Sequence, residues 1–294
     1  MKNQRIGVGS LLLATFLYGF FAILTRTIGF NLPIFFQNWT RSLIELILVS
    51  PLLLLFKKWT KVKVKDFKWM LIRSVGGLFG FYGSYIAFLF IPIGTTYFVF
   101  YAGSTIGGYL IGKLLFKEKL NRIKIISLFL AFLGLIFIYL INFEGGKSLY
   151  IFLALISGLG TAIWNTFSKK ISRRYSALQL NFIDVFLVFI ITFLFSLFVK
   201  EHWILPNLSS VWMANGLFAL MFFSTGLLII YGFKYVEAQI GSLIMLAEVV
   251  FGVFLGLIFY KEIISFTTLL GGIAIITAII LPEVYRKKTK NFVI

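Results

Sequence analysis

Long apolar runs alternate with short polar clusters along the whole chain. Ten runs stand out, at residues 6–25, 33–56, 69–91, 95–116 and 123–141, then 149–167, 178–199, 211–233, 238–260 and 264–282. Most are about 18–24 residues long, enough for a helix to cross roughly 30 Å of hydrocarbon. None shows the period-two alternation of a membrane β-barrel strand. The pattern predicts an all-α polytopic membrane protein with ten transmembrane helices joined by short loops. The longest hydrophilic connection, residues 57–68, is still only a surface loop.

A second pattern is superimposed on the first. Gly108 and Gly112, one helical turn apart, precede a charged turn at Lys117-Glu118. Gly252 and Gly256 precede Lys261-Glu262 in the same way, roughly 144 positions later. Residues 19–26 align with 162–169, Arg41 with Asp184, and Asn38 with Asn181. The chain therefore divides into two five-helix repeats, 1–143 and 144–294. Five is odd, so the second repeat must insert upside down, the inverted plan of many secondary transporters. The glycine pairs read as helix-packing seams, with Gly103 and Gly107 extending the first; helix bending is their other use.

Charge fixes the expected orientation. With the N-terminus inside, about twenty-one Lys and Arg residues fall on the cytoplasmic side and about four outside (Arg26, Lys147, Lys200, Lys261). Both termini are expected in the cytoplasm and the chain in the cytoplasmic membrane. The net charge of +18 thus reads as a topology signal rather than a nucleic-acid footprint, since no basic face or base-stacking module accompanies it. The first apolar run lacks a small-residue cleavage site before Arg26, so it is expected to remain as a span. The chain has no cysteine, which excludes disulfides and thiolate metal sites.

With two five-helix halves and the turns at Glu118 and Glu262, the chain resembles the drug/metabolite transporter superfamily, and within it the EamA family. The likeness also rests on Trp39-Thr40-Arg41, Ala162-Ile163-Trp164-Asn165 and Leu246-Ala247-Glu248, and covers residues 11–281. One departure is that Thr105 and Val249 stand where the family often has prolines midway along the fourth and ninth spans. A bend made there by proline would be weaker here or come from Gly103 and Gly107. The resemblance implies transport of small metabolites, often amino acids and frequently outward. It also implies that the ninth span, with Glu248, borders a central cavity.

Charge at membrane depth supplies the candidate chemistry, because it disfavours insertion by about 2.5–3.5 kcal/mol and is placed toward a partner or a pathway. Gln37, Arg41 and Glu45 lie four apart on one helical face, widened by Asn38. Arg41 and Glu45 either neutralise each other, or Arg41 faces a carboxylate or phosphate with Glu45 holding it. Asp184 either bridges to Arg41 or, lacking a cation nearby in sequence, takes up a proton during transport. Glu248, in an otherwise apolar span, is the third candidate. Tyr82, Tyr85, Tyr101, Trp164 and Asn165 carry polar atoms well inside spans and read as cavity walls, or else as belt and packing residues.

Enzymatic readings find no support in the sequence: there is no Ser-His-Asp set, metal cluster or phosphate-cradling loop, and the only histidine is His202 in a loop. The expected partners are a small-molecule substrate and membrane lipids, with no cofactor beyond a coupling proton. A non-transporting membrane protein, such as a lipid-modifying enzyme or an assembly scaffold, is the rival, and it would lack a cavity between the halves.

Overall fold

A computed structural model describes residues 2–139, 147–261 and 263–291. Among these the chain is helical and has no strand. Buried in lipid, a backbone without water must satisfy its own hydrogen bonds, and helices do this within one segment. The first repeat contains α1 (Lys2–Gly19), α2 (Phe21–Ile28), α3 (Ile34–Leu55), α4 (Val64–Phe90), α5 (Ile93–Leu114) and α6 (Arg122–Tyr139). The second contains α7 (Ser148–Ile171), α8 (Ala177–Phe198), α9 (Ser210–Tyr235), α10 (Ala238–Met245), α11 (Ala247–Tyr260) and α12 (Phe266–Asn291). The first span is α1 with α2 and the ninth is α10 with α11, so twelve helices make ten spans.

The repeats interlock. The most extensive packing lies between them: α4 and α5 on α7, α6 on α12, α1 on α9, α3 on α8 and α5 on α10. Exchanging the repeats maps the α4–α7 contact onto α9–α1, so the packing keeps the internal symmetry. The backbone keeps it too. Lys57 and Lys200 follow α3 and α8, Lys117 and Lys261 follow α5 and α11, and all four have left-handed φ angles between 48° and 55°. The left-handed turn ends the helix there and sets a positively charged residue next to the negative helix terminus. Glu262, the second of the two glutamate turns, lies outside the described residues.

Eight spans are long and apolar enough to cross a bilayer by composition. The other two, α4 and α5, have 27 and 22 residues but are diluted by Gly, Ser, Thr and Tyr. Both pack on α7, so they present less side chain to lipid. Gly103 on α5 shows how closely: a Cβ there would lie 2.6 Å from the Leu155 carbonyl oxygen. Gly107 likewise faces Ala162 and Leu159. α5 runs unbroken through both glycines and past Thr105. The ninth span does break, without proline, at Leu246, whose N–H turns back to the Leu243 carbonyl at 3.0 Å. That tightened turn separates α10 from α11.

The two glycine pairs part ways. Gly108 abuts Ser242, and a Cβ on Gly112 would meet the Glu118 carboxylate at 2.6 Å. A Cβ on Gly252 would meet nothing within 4 Å. The expectation of a packing seam at Gly252 is therefore corrected. That residue and Gly256 line a small groove whose other wall is Gly19, Ala22, Ile23 and Arg26 of α1 and α2, so α11 and the first span face each other here without closing onto Gly252.

Candidate functional site

Ten helices, α1 to α5 and α7 to α11, surround a cavity of about 370 Å³. Asn38, Arg41, Glu45, Tyr82, Tyr101, Trp164, Asn165, Asp184 and Glu248 all line it, with Tyr85 beside them. The residues singled out in sequence thus meet in one place although they come from both repeats. The cavity extends from Trp164 and Asp184 toward Gly29, Tyr85 and Phe88, near the helix ends remote from both termini.

Arg41 is built in rather than merely exposed to the cavity. Its Nε donates to Asn215 Oδ1 at 2.6 Å, its Nη2 donates to Gln37 Oε1, and its guanidinium lies 3.9 Å from the centre of the Phe218 ring. Asn215 is in turn held by Thr40, to which its Nδ2 donates at 3.0 Å. Neutral amide oxygens orient the guanidinium without cancelling its charge. Arg41 makes no ion pair with Glu45 or Asp184 among the described residues, so of the alternatives open for it the two pairings are the ones corrected. The reason is reach: the short Gln37 and Asn215 contacts draw the side chain away from Glu45.

Asp184 also departs from expectation, because it does have a cation. Arg73 Nη1 sits 2.7 Å from Asp184 Oδ2, and Arg73 Nε donates to the Trp164 carbonyl at 2.9 Å. Trp164 Nε1 donates to Asp184 Oδ2 at 2.7 Å and Ser74 Oγ donates to Oδ1 at 2.6 Å. The guanidinium lies over the Trp164 ring at 4.8 Å. This fixes the indole as a cavity wall and fills three of the four acceptor sites of the Asp184 carboxylate. Arg73 was missed in the sequence reading, although a lone Arg followed by Ser74 and two glycines inside an apolar run was the signal.

Glu45 and Glu248 are different. Neither has a Lys or Arg within ion-pair distance among the described residues, and Glu45 Oε2 is buried with no hydrogen-bond partner. Glu248 sits in the first turn of α11, next to the break, with the Tyr101 hydroxyl beside it. Asn165 Oδ1 is a further orphaned acceptor on the cavity wall. Asn38 Nδ2 donates to the Tyr82 hydroxyl at 3.1 Å, which fixes that ring. Counting charges, the wall carries one oriented guanidinium, one neutralised Asp and two unpaired carboxyl groups among many aromatic rings.

At the end bearing both termini the bundle is closed by bonds between the repeats. Glu118 Oε1 accepts from Lys169 Nζ at 2.6 Å and from Ala238 N at 2.7 Å, and Oε2 accepts from Gln239 N at 3.1 Å. The carboxylate caps α10 and suits its positive N-terminus. Lys124 Nζ donates to Glu237 Oε2 at 2.5 Å and Gln239 Oε1 at 2.7 Å. Asp66, in the polar turn ahead of the apolar stretch of α4, pairs with Arg174 at 2.7 Å and accepts from Tyr175 at 2.9 Å. Burial opposes its charged form, but those two donors outweigh burial and hold the carboxyl below the usual range. At the opposite end Glu201 accepts from Phe35 N and Phe36 N at 2.9 and 2.6 Å, clamping α3 to the end of α8.

A multi-pass helical membrane protein with a polar, aromatic-walled chamber between two interlocked repeats is the class that this fold and site define. The chain belongs to the EamA-like transporter family, whose model matches it twice, over residues 5–140 and 148–282. It is thus a membrane transporter of the drug/metabolite transporter superfamily. No curated protein matches the sequence. A solved structure described as "Crystal structure of protein" has a similar fold, with a TM-score of 0.79 at 16% identity over 96% of this chain and 98% of that one.

Proposed function

We propose that the protein is a secondary transporter that moves a small metabolite, an amino acid or a related compound, across the cytoplasmic membrane by alternating access, in the direction of export. The observation that supports this reading is the convergence of polar groups from both repeats on one cavity, with the bundle bonded across the repeats at the end bearing both termini. Arg41 Nη1, with its neighbours held by Gln37 and Asn215, receives a substrate carboxylate. The rings of Tyr82, Tyr101 and Trp164 hold an apolar side chain, and Glu45 and Glu248 take an ammonium group or a coupling proton. Asp184, already paired, serves as scaffold. The Lys and Arg distribution supports termini in the cytoplasm, so the bonded end is the inner gate that must part during the cycle.

The test is counterflow into vesicles holding the purified chain, screened with amino acids, nucleosides, sugars and polyamines. Arg41→Gln and Glu248→Gln should each lower transport of the active compound about tenfold or more while the protein stays folded. Glu248→Gln should also remove any dependence on an imposed pH gradient. Full transport in both variants would overturn the assignment.

A further inference from the structure

Residues 56–63 join α3 to α4 and lie on the face that carries both termini. The loop is pinned, not loose. Gln179, fully buried at the start of α8, accepts from Thr60 N at 3.1 Å and donates to the Thr60 carbonyl at 2.6 Å. Ser176 Oγ donates to the Lys58 carbonyl at 2.9 Å, and Lys63 N donates to the Tyr175 hydroxyl at 3.1 Å. Every one of these contacts uses the backbone or Thr60, so no lysine side chain is consumed in holding the loop.

What the pinned backbone displays is a one-signed surface. Lys57, Lys58, Lys61, Lys63, Lys65 and Lys68 are all exposed. On the same face the end of α7 adds exposed Lys170, and the turn after it adds exposed Arg173. The one acid in this stretch, Asp66, is buried and already paired with Arg174. Between the lysines stand exposed apolar side chains, Phe56, Trp59, Val64 and Phe67, continuous with Leu54 and Leu55 at the end of α3. Orienting the chain during insertion needs positive charge near the helix ends; it does not need a rigid loop with rings set between the charges.

We propose that this loop, with the end of α7, is a docking surface for the anionic headgroups of membrane lipids. Charge complementarity and position select that occupant. Both flanking helices enter the bilayer within a turn or two, so the lysines lie at headgroup depth while the rings and aliphatic groups reach the acyl boundary. A soluble acidic partner would match the lysines but would leave the interleaved apolar groups facing water. Because the loop is tied to the first turn of α8, which carries Asp184 and so packs on the cavity wall, bound lipid steadies the wall through α8. The inference stands on the surface alone and not on the transport reading.

The experiment places the full-length chain in nanodiscs of phosphatidylcholine, or of phosphatidylcholine with about 30% phosphatidylglycerol. It follows the thermal midpoint and counts retained lipids by native mass spectrometry. Phosphatidylglycerol should raise the midpoint and remain bound, with both effects fading between about 50 mM and about 500 mM salt. The combined Lys57→Gln, Lys58→Gln, Lys61→Gln and Lys63→Gln variant should lose both effects, with affinity down at least about tenfold. The matching Lys→Arg variant should retain them. No shift in the native chain, or an equal shift in the Gln variant, would overturn the proposal. So would equal stabilisation by soluble heparin in pure phosphatidylcholine. If the Gln variant does not insert, the salt series and the Arg variant decide: an effect that ignores salt, or that is lost with Arg, overturns the proposal equally.

Discussion

Two buried polar regions, one at the end bearing the termini and one in the central cavity, draw on the same residue types and use them in opposite ways. At the closed end Glu118 has three donors and Lys124 three acceptors, and most of these bonds cross from one repeat to the other. In the cavity Glu45 keeps a buried oxygen with no partner, and Asn165 keeps another. A satisfied network rigidifies, whereas an orphaned buried group costs free energy unless something fills it intermittently. The first pattern ties the two repeats together at one end, and the second leaves acceptors without partners on the cavity wall. Asp184 shows that position alone does not decide: it lines the cavity yet belongs, by its bonding, with the satisfied set.

The sharpest way to break the contrast is to orphan Asp184. Arg73→Met leaves a buried carboxylate without its cation and should cost about 3–5 kcal/mol of stability, read as a lower thermal midpoint in detergent. Adding Asp184→Leu should restore part of that loss. An undisturbed midpoint in the single variant would show that the pair contributes little.

Opening the gate comes next in size. Glu118→Ala uncaps α10 and strands Lys169, a loss of about 2 kcal/mol. It should shift the chain toward opening at that end. Single cysteines introduced into this cysteine-free sequence near Gln239 should become more reactive to a water-soluble thiol reagent, while those near Tyr85 become less so. Unchanged labelling at both places would remove the gate from the comparison.

The smallest effect should come from a pair of matched substitutions. Gly108→Ala pushes a methyl into Ser242 and should destabilise by about 1–3 kcal/mol. Gly252→Ala enters open space and should change stability by less than about 0.5 kcal/mol. Equal effects would mean that α11 packs more tightly than its open face indicates.

Much of this fold is legible in the chain because lipid imposes one dominant rule, an apolar run of fixed length. The ten spans fall where that rule puts them. Their ends shift for local reasons: α7 continues past 167 to Ile171, carrying Lys169 to Glu118. The cavity wall is legible for a related reason, since polar atoms at membrane depth must face inward. Pairing was not. The spacing of Gln37, Arg41 and Glu45 invites a local ion pair, but the Arg41 partner Asn215 lies 174 positions away. The break at Leu246 leaves no compositional trace, and two glycines one turn apart read alike whether they face a helix or open space.

The broken ninth span has one further consequence. With eight residues, α10 is a rod about 12 Å long, gripped by Glu118 at one end and joined through the Leu246 turn to Glu248 at the other. All eight of its residues are buried, mainly against α5 and α1, so the bonds that join the repeats at one end and the carboxyl group on the cavity wall share one short, tightly embedded element, and any displacement of its capped end would have to carry those neighbours with it.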